Sequence, residues 1–270
     1  MPERFDPAIF ADAGRCRIAE RVLLVAAHPD DETVGLGAQL VRCEDLILLH
    51  LTDGAPRDLA DARRHGFADA VSYAAARARE LRAGLAAGEV SCRRFSYGLP
   101  DQGLVRQLSS LALRLSALVR ELWPAALITH AYEGGHPDHD SAALACQIAV
   151  ESLPAARRPV RLEFVGYHAA EGALRWGAFR GGGEEVIIGL SPDEQRRKAA
   201  MLACFETQAA VLAPLPRTVE RLRRAPLYDF TTPPHPGALW YERMGWGVDG
   251  ARWRDAARDA LDACAAEPAC

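Results

Sequence analysis

Short apolar runs alternate with longer amphipathic ones along most of this chain. Residues 21–27 (RVLLVAA) are apolar almost throughout and stop at His28-Pro29, which predicts a strand buried on both faces. A helix is expected over 33–43, then a strand over 45–51 (DLILLHL) closed by the turn pair Asp53-Gly54. Residues 56–70 are charged and read as a surface loop. Residues 71–88 carry a helical pattern with a glycine near the end. After a shorter strand at 91–97 comes a helix over 103–122, with Leu104, Leu108, Leu111, Leu115 and Leu118 at spacings of three and four. A buried strand at 125–131 (AALITHA), a helix at 141–153 and strands at 161–168 and 185–190 follow. Ser191-Pro192-Asp193-Glu194 has the capping chemistry of a helix start, and that helix is expected to reach about residue 211.

Strands alternating with helices predict an α/β domain, a mostly parallel sheet covered on both faces. Right-handed crossovers put the loops that follow the strands along one edge, where such sheets bind ligands. The organisation expected is an N-terminal arm over 1–20, the main domain over 21–212, and an irregular C-terminal arm and helix over 213–270 packed on the same domain.

Composition narrows this picture. The chain has 270 residues with 32 Lys+Arg against 36 Asp+Glu, a formal charge of −4, which disfavours nucleic acid as a partner. No apolar run is long enough to predict a membrane span. The segment MPERFDPAIFADAGR has no basic stretch followed by an apolar core, so no signal peptide is expected. Seven scattered cysteines without a CxxC pair read as free thiols in a reducing cytoplasm, with Cys43, Cys146 and Cys204 as small core residues of helical stretches. Gly35-Leu36-Gly37 lacks the third glycine of a dinucleotide fingerprint, so NAD binding is not expected.

The chemistry concentrates in two turns. His28-Pro29-Asp30-Asp31-Glu32 follows the first strand, and His136-Pro137-Asp138-His139 follows the 125–131 strand. They bring three histidines and four acids to equivalent places in the fold. Two imidazoles and a carboxylate are the donors of a catalytic zinc site, which keeps one position open for water. Taken singly, either aspartate of the first turn could simply cap the next helix, and a His-Pro pair could be a turn alone.

The pair AHPDDE and HPDH, with Thr52-Asp53-Gly54, Arg77-x-x-Glu80, Leu99-Pro100-Asp101 and the stretch from Lys198 to Gln208, resembles the N-acetylglucosaminyl-phosphatidylinositol de-N-acetylase family, also called PIG-L or LmbE-like. The resemblance spans roughly residues 20 to 212. It implies a Rossmann-like fold and a zinc-dependent hydrolase, with iron(II) as the alternative metal, that removes acetyl groups from N-acetylglucosamine-type sugars or their conjugates. His28, Asp31 and His139 match the family's metal ligands and Asp30 its general base. His136 matches the histidine that stabilises the oxyanion or protonates the leaving amine, with Asp138 orienting it. Glu32 is expected to support the turn rather than bind metal. Arg77 and Asp101 resemble sugar-contacting positions; their plain readings are an Arg77–Glu80 ion pair and a turn carboxylate. Some relatives place a tyrosine just before HPDH, whereas here Gly134-Gly135 precede His136 and Tyr132 lies further upstream.

Among the other histidines, His50 and His130 read as strand residues near the site wall, His65 as surface, and His168 as the end of a strand at the site edge. Residues 225–246 (APLYDFTTPPHPGALWYERMGW) hold four prolines and five aromatics. Aromatic faces suit sugar rings, so this arm is expected to line the mouth of the site, with His235 and Trp240 nearest the ligand; the plain reading is an arm that only covers the sheet. The expected partner is a small N-acetylated sugar, and a homo-oligomer is compatible with the sequence. A non-haem iron oxygenase with two histidines and a carboxylate is the competing enzyme class, though its ligands usually have His-x-Asp/Glu spacing. A catalytically silent metal-binding module is the third reading.

Overall fold

The computed structural model describes residues 5–12 and 14–266; Cys270 lies outside them. The strands are β1 (Ile18–Ala26), β2 (Cys43–Pro56), β3 (Arg93–Asp101), β4 (Ala126–His130), β5 (Val160–Phe164), β6 (Tyr167–Ala170), β7 (Ala173–Trp176), β8 (Glu185–Gly189) and β9 (Val219–Arg224). The helices are α1 (Asp31–Leu36), α2 (Ala60–Arg64), α3 (Ala70–Ala87), α4 (Leu108–Leu122), α5 (Pro137–Glu151), α6 (Pro192–Ala203), α7 (Ala209–Leu212), α8 (Trp240–Met244) and α9 (Gly250–Ala265). Seven strands form one sheet in the order β3-β2-β1-β4-β5-β9-β8, and β6 and β7 pair as a separate ribbon. From β3 through β5 the pairing is parallel; β9 and β8 add antiparallel.

The apolar runs are strands with two cores to fill. On β1, Leu23 and Val25 enter the core under α4, α5 and α9, while Val22, Leu24 and Ala26 enter the opposite core with α1, α3 and α6. The chain builds outward from β1 through β2 to β3, then returns to lay β4 on the other side of β1. The loops after β1 and β4 therefore diverge at the switch in strand order, where a crevice opens.

Several boundaries differ from expectation. The helix expected over 33–43 is α1 alone, followed by a 3-10 turn at Leu40–Arg42. Its Gly35 lies against the Phe164 ring of β5, where a Cβ would come within 2.5 Å. That close packing, with Lys198 Nζ donating to Val34 O (2.9 Å) and to Glu220 Oε1 (2.7 Å), holds α1 on the sheet. Cys43 consequently begins β2 rather than lying in a helix. Asp53-Gly54 does not end β2, which continues to Pro56 with a shifted register after His50. Residues 161–168 are two strands, β5 and β6. The helix after Ser191 has the expected capping box but stops at Ala203. Within 213–270, Val219–Arg224 is a strand between β5 and β8, and α9 buries Trp253 on α5, its indole N–H donating to Pro137 O (3.1 Å) and Ser141 Oγ (3.0 Å).

Candidate active site

The His28–Glu32 turn is held by its own acids. Asp31 Oδ2 accepts the His28 backbone N–H (2.6 Å), and Glu32 Oε2 accepts that of Asp30 (3.1 Å) while its other oxygen takes the Thr33 hydroxyl. His50 on β2 lies 3.0 Å from Glu32 Oε2, so Glu32 props the turn from behind. Asp30, at the start of α1, makes no capping hydrogen bond and has φ +149°, a rare backbone state for a non-glycine residue. The plain capping reading of Asp30 thus has no hydrogen bond behind it. Its Oδ2 faces Arg77 Nη2 at 3.1 Å. Burial pushes the Asp30 carboxyl up to about 8, against the pull of Arg77.

Arg77 is not paired with Glu80. It donates to Pro29 O (2.8 Å) and Gly54 O (3.0 Å) as well as to Asp30, clamping the turn, while Glu80 takes the Thr207 N–H and hydroxyl. The second turn opens α5. Gly135 just before it passes so close to Tyr167 O that a Cβ would sit 1.9 Å away, which only glycine permits.

The two turns converge. The Asp31 carboxylate lies between His28 Nδ1 (3.3 Å) and His139 Nε2 (3.4 Å). His28 Nε2 faces Asp101 at 3.0 Å and Asp138 at 3.3 Å. Donor atoms of three overlapping groups, His28–His136–His139, His28–Asp101–His136–Asp138 and Asp31–His130–His139, come within 4.8 Å of one another. Burial works against charge on His28, but Asp101, Asp138 and Asp31 outweigh it and raise its pKa well above the usual range. Carboxylates gathered this way around buried imidazoles call for a cation, and the donors suit a divalent ion.

Two expected partnerships differ. The Asp138 carboxylate does not orient His136: it accepts the backbone N–H groups of Gln102 (2.6 Å) and Leu104 (3.1 Å), tying the loop after β3 to α5. It is the Asp138 backbone N–H that holds His136, donating to Nδ1 at 3.1 Å. With that lone pair engaged, the neutral ring carries its proton on Nε2, which lies 3.6 Å from Asp101. Burial and His28 push the His136 pKa well below the usual range, so the ring is a neutral N–H donor rather than an imidazolium. Asp101, expected at the sugar, stands in one of the donor clusters that could hold a metal; the charge of His28 lowers its pKa against the effect of burial.

A cleft with about 120 Å3 of free volume runs over this cluster and is walled by Tyr167, Trp176 and Trp246. His235 and Trp240 do not line it. His235 Nδ1 lies 2.8 Å from Pro236 O, and Trp240 starts α8, its backbone N–H donating to Gly134 O (2.8 Å). The arm's aromatic at the site is Trp246, whose ring centre lies 4.6 Å from that of His136. Tyr132 is buried, its hydroxyl on Thr232 O, in a stack with Trp253 away from the cleft. His168 is buried 3.6 Å from Glu133 rather than at the cleft. His130 stacks on His139, ring centres 4.0 Å apart, and its Nε2 accepts the Ala27 N–H. Trp246 stands between Gly245 and Gly247, a readable sign of a presented aromatic. Tyr167 and Trp176, opposite each other on the ribbon, have no such sign.

Residues 23–150 match the family model described as PIG-L: GlcNAc-PI de-N-acetylase. The match covers 128 of the 270 residues. The matched segment contains both turns and the Arg77 clamp, whereas Tyr167, Trp176 and Trp246 lie outside it. A "1D-myo-inositol 2-acetamido-2-deoxy-alpha-D-glucopyranoside deacetylase" from Kineococcus radiotolerans is 33% identical over 175 residues, 52% of this chain and 47% of that protein. The chain spans about half the length of the curated relatives it matches. The fold resembles a zinc-inhibited form of teicoplanin deacetylase Orf2, with TM-score 0.58 and 16% identity over 75% of this chain and 97% of that one. It also resembles the 4-carboxy-2-hydroxymuconate hydratase GalB from Pseudomonas putida KT2440, with TM-score 0.55 and 14% identity over 78% of this chain and 98% of that one. A fold shared by proteins with such different names leaves the chemistry to the side chains of the site.

Proposed function

We propose that this protein is a metal-dependent deacetylase that hydrolyses the N-acetyl group of an N-acetylglucosamine-type sugar or its conjugate, with His28, Asp31 and His139 holding the metal. The observation that carries the reading is the convergence of those donors with Asp30 and His136 at the switch point of the sheet, at the floor of one cleft. The match to the PIG-L family and the printed name of the Kineococcus relative support the same substrate class.

The donor set suits zinc, with iron(II) as the alternative. When bound, the ion polarises the acetyl carbonyl and acidifies a water. Asp30 Oδ1, the oxygen not facing Arg77, takes the proton of the attacking water and returns it toward the leaving amine. Arg77 fixes that carboxylate and the backbone of the turn. His136 Nε2–H donates to the oxygen on which negative charge develops, a role a neutral imidazole fills without reorganisation. His136 is not a ligand in this scheme, because Nδ1 already accepts a backbone N–H and Nε2 bears the proton. Asp138 keeps Asp101 and Gln102 at the site through the loop it anchors.

The test is acetate release from a panel of N-acetylated sugars and conjugates by the purified chain, before and after chelation and zinc or iron(II) refilling. Release lost on chelation and restored by the metal is expected. A metal-loaded protein inert across the panel would overturn the reading.

A further inference from the structure

The cleft over the metal donors has little to offer an anionic substrate. Among the described residues lining it, Arg77 is the one guanidinium or ammonium group, and its hydrogen bonds go to Pro29 O, Gly54 O and Asp30. A neutral N-acetyl sugar fits such a wall.

Beyond Trp246 lies a second cavity of about 290 Å3 that shares Asp101, Gln102 and Trp246 with the first. The two spaces are neighbours across one aromatic ring. The charges of the second cavity can be accounted for one by one. Arg57 forks onto Asp53 at 2.6 and 3.2 Å. Asp58 Oδ1 accepts the Ala60 N–H at the start of α2 (2.9 Å). Asp101 is engaged with His28. Arg106 is exposed, and its guanidinium makes no hydrogen bond or ion pair with the described residues. It is the charge in this wall left without a partner.

Gln102 marks the junction. Its backbone sits at φ +62°, a conformation glycine and asparagine adopt more readily, and is held there through its N–H by Asp138. Its side-chain amide makes no hydrogen bond to the described residues, and the residue lines both cavities. The strain is kept where the amide can reach a ligand spanning the two spaces.

We propose that the cavity beyond Trp246 is a subsite for the part of the substrate attached to the N-acetyl sugar, and that this part carries an anionic group, a carboxylate or a phosphate, bound by Arg106 with Gln102 at the junction. The proposal rests on the deacetylase reading. A planar guanidinium without a partner matches either anion with paired hydrogen bonds, which makes the group selective as well as attractive.

The test compares acetate release from three N-acetylglucosaminides that differ only in the aglycone: methyl, carboxylate-bearing and phosphate-bearing. The wild-type chain should favour at least one anionic compound in kcat/KM, and the better of the two identifies the anion. Arg106→Gln should lower kcat/KM for that compound by on the order of 10- to 100-fold, the effect of one charge-assisted contact, and leave the methyl glycoside within about twofold. Arg106→Lys should recover part of the loss. Calorimetry with the free-amine form of the favoured compound should show the same loss of affinity in Arg106→Gln and weakening with salt. Turnover of the methyl glycoside with no preference for either anion, or an equal effect of Arg106→Gln on all three, would overturn the subsite and leave the deacetylase reading standing. Absence of acetate from all three would overturn that reading and the subsite with it.

Discussion

The chemical groups of the site and its walls come from different parts of the molecule. His28, Asp30 and Asp31 follow the end of β1 by two to five residues, and His136 and His139 follow the end of the neighbouring central strand β4 by six and nine. Tyr167, Trp176 and Trp246 come from a two-stranded ribbon and a later loop, all beyond the segment that matches the family model. The first group is placed by local backbone, since a buried strand leading into a helix leaves the intervening residues one place to go. The second is placed by long-range packing, through Gly135 against Tyr167 O and α8 against Gly134 O. Chemistry is thus set by the sheet, and the shape of the cleft by what is wrapped around it.

The largest expected effect tests whether the wrapping is part of the core. Trp253 is fully buried against α5, Tyr132 and the arm's Phe230. Trp253→Ala should cost about 3–5 kcal/mol of stability in denaturant unfolding, the range for a buried tryptophan. A loss below about 1 kcal/mol would mean that the C-terminal segment is an accessory layer.

Next comes the division of labour within the first turn. Asp30→Asn should keep the metal and lose on the order of 10²-fold or more in kcat, while Asp31→Asn should weaken metal binding. Metal analysis beside turnover numbers decides this, and the reverse pattern would exchange the two roles.

The smallest effect sharpens the wall. Trp246→Ala should raise KM by about tenfold, of the size of one aromatic contact, and Trp240→Ala should leave KM within about twofold. Equal shifts would show that the arm acts as a whole rather than through Trp246.

The same division explains what the sequence discloses. The β/α alternation, both motif turns and the cap at Ser191 are local, and the structure has them where periodicity and capping chemistry put them. The pairing of His136 with the Asp138 backbone rather than its carboxylate was not legible, because it depends on the loop after β3 reaching Asp138. Trp246 and not Trp240 reaches the site because Trp240 starts a short helix docked on Gly134, a long-range contact; the glycines flanking Trp246 were the local sign of it. Strand β9 escaped because VERLRR carries four charges in six residues, yet it pairs with neighbours on both sides and buries Glu220 and Arg223 by pairing them with Lys198 and Glu163.

The most direct measurement of the central claim is a titration of chelated protein with zinc or iron(II), following bound metal and acetate release together in the wild-type chain, His28→Ala and His139→Ala. The account predicts that wild-type activity rises with bound metal and levels at one ion per chain, while both variants bind little metal and release little acetate. Acetate release that is independent of bound metal, or stoichiometric metal retained in both variants, would contradict it.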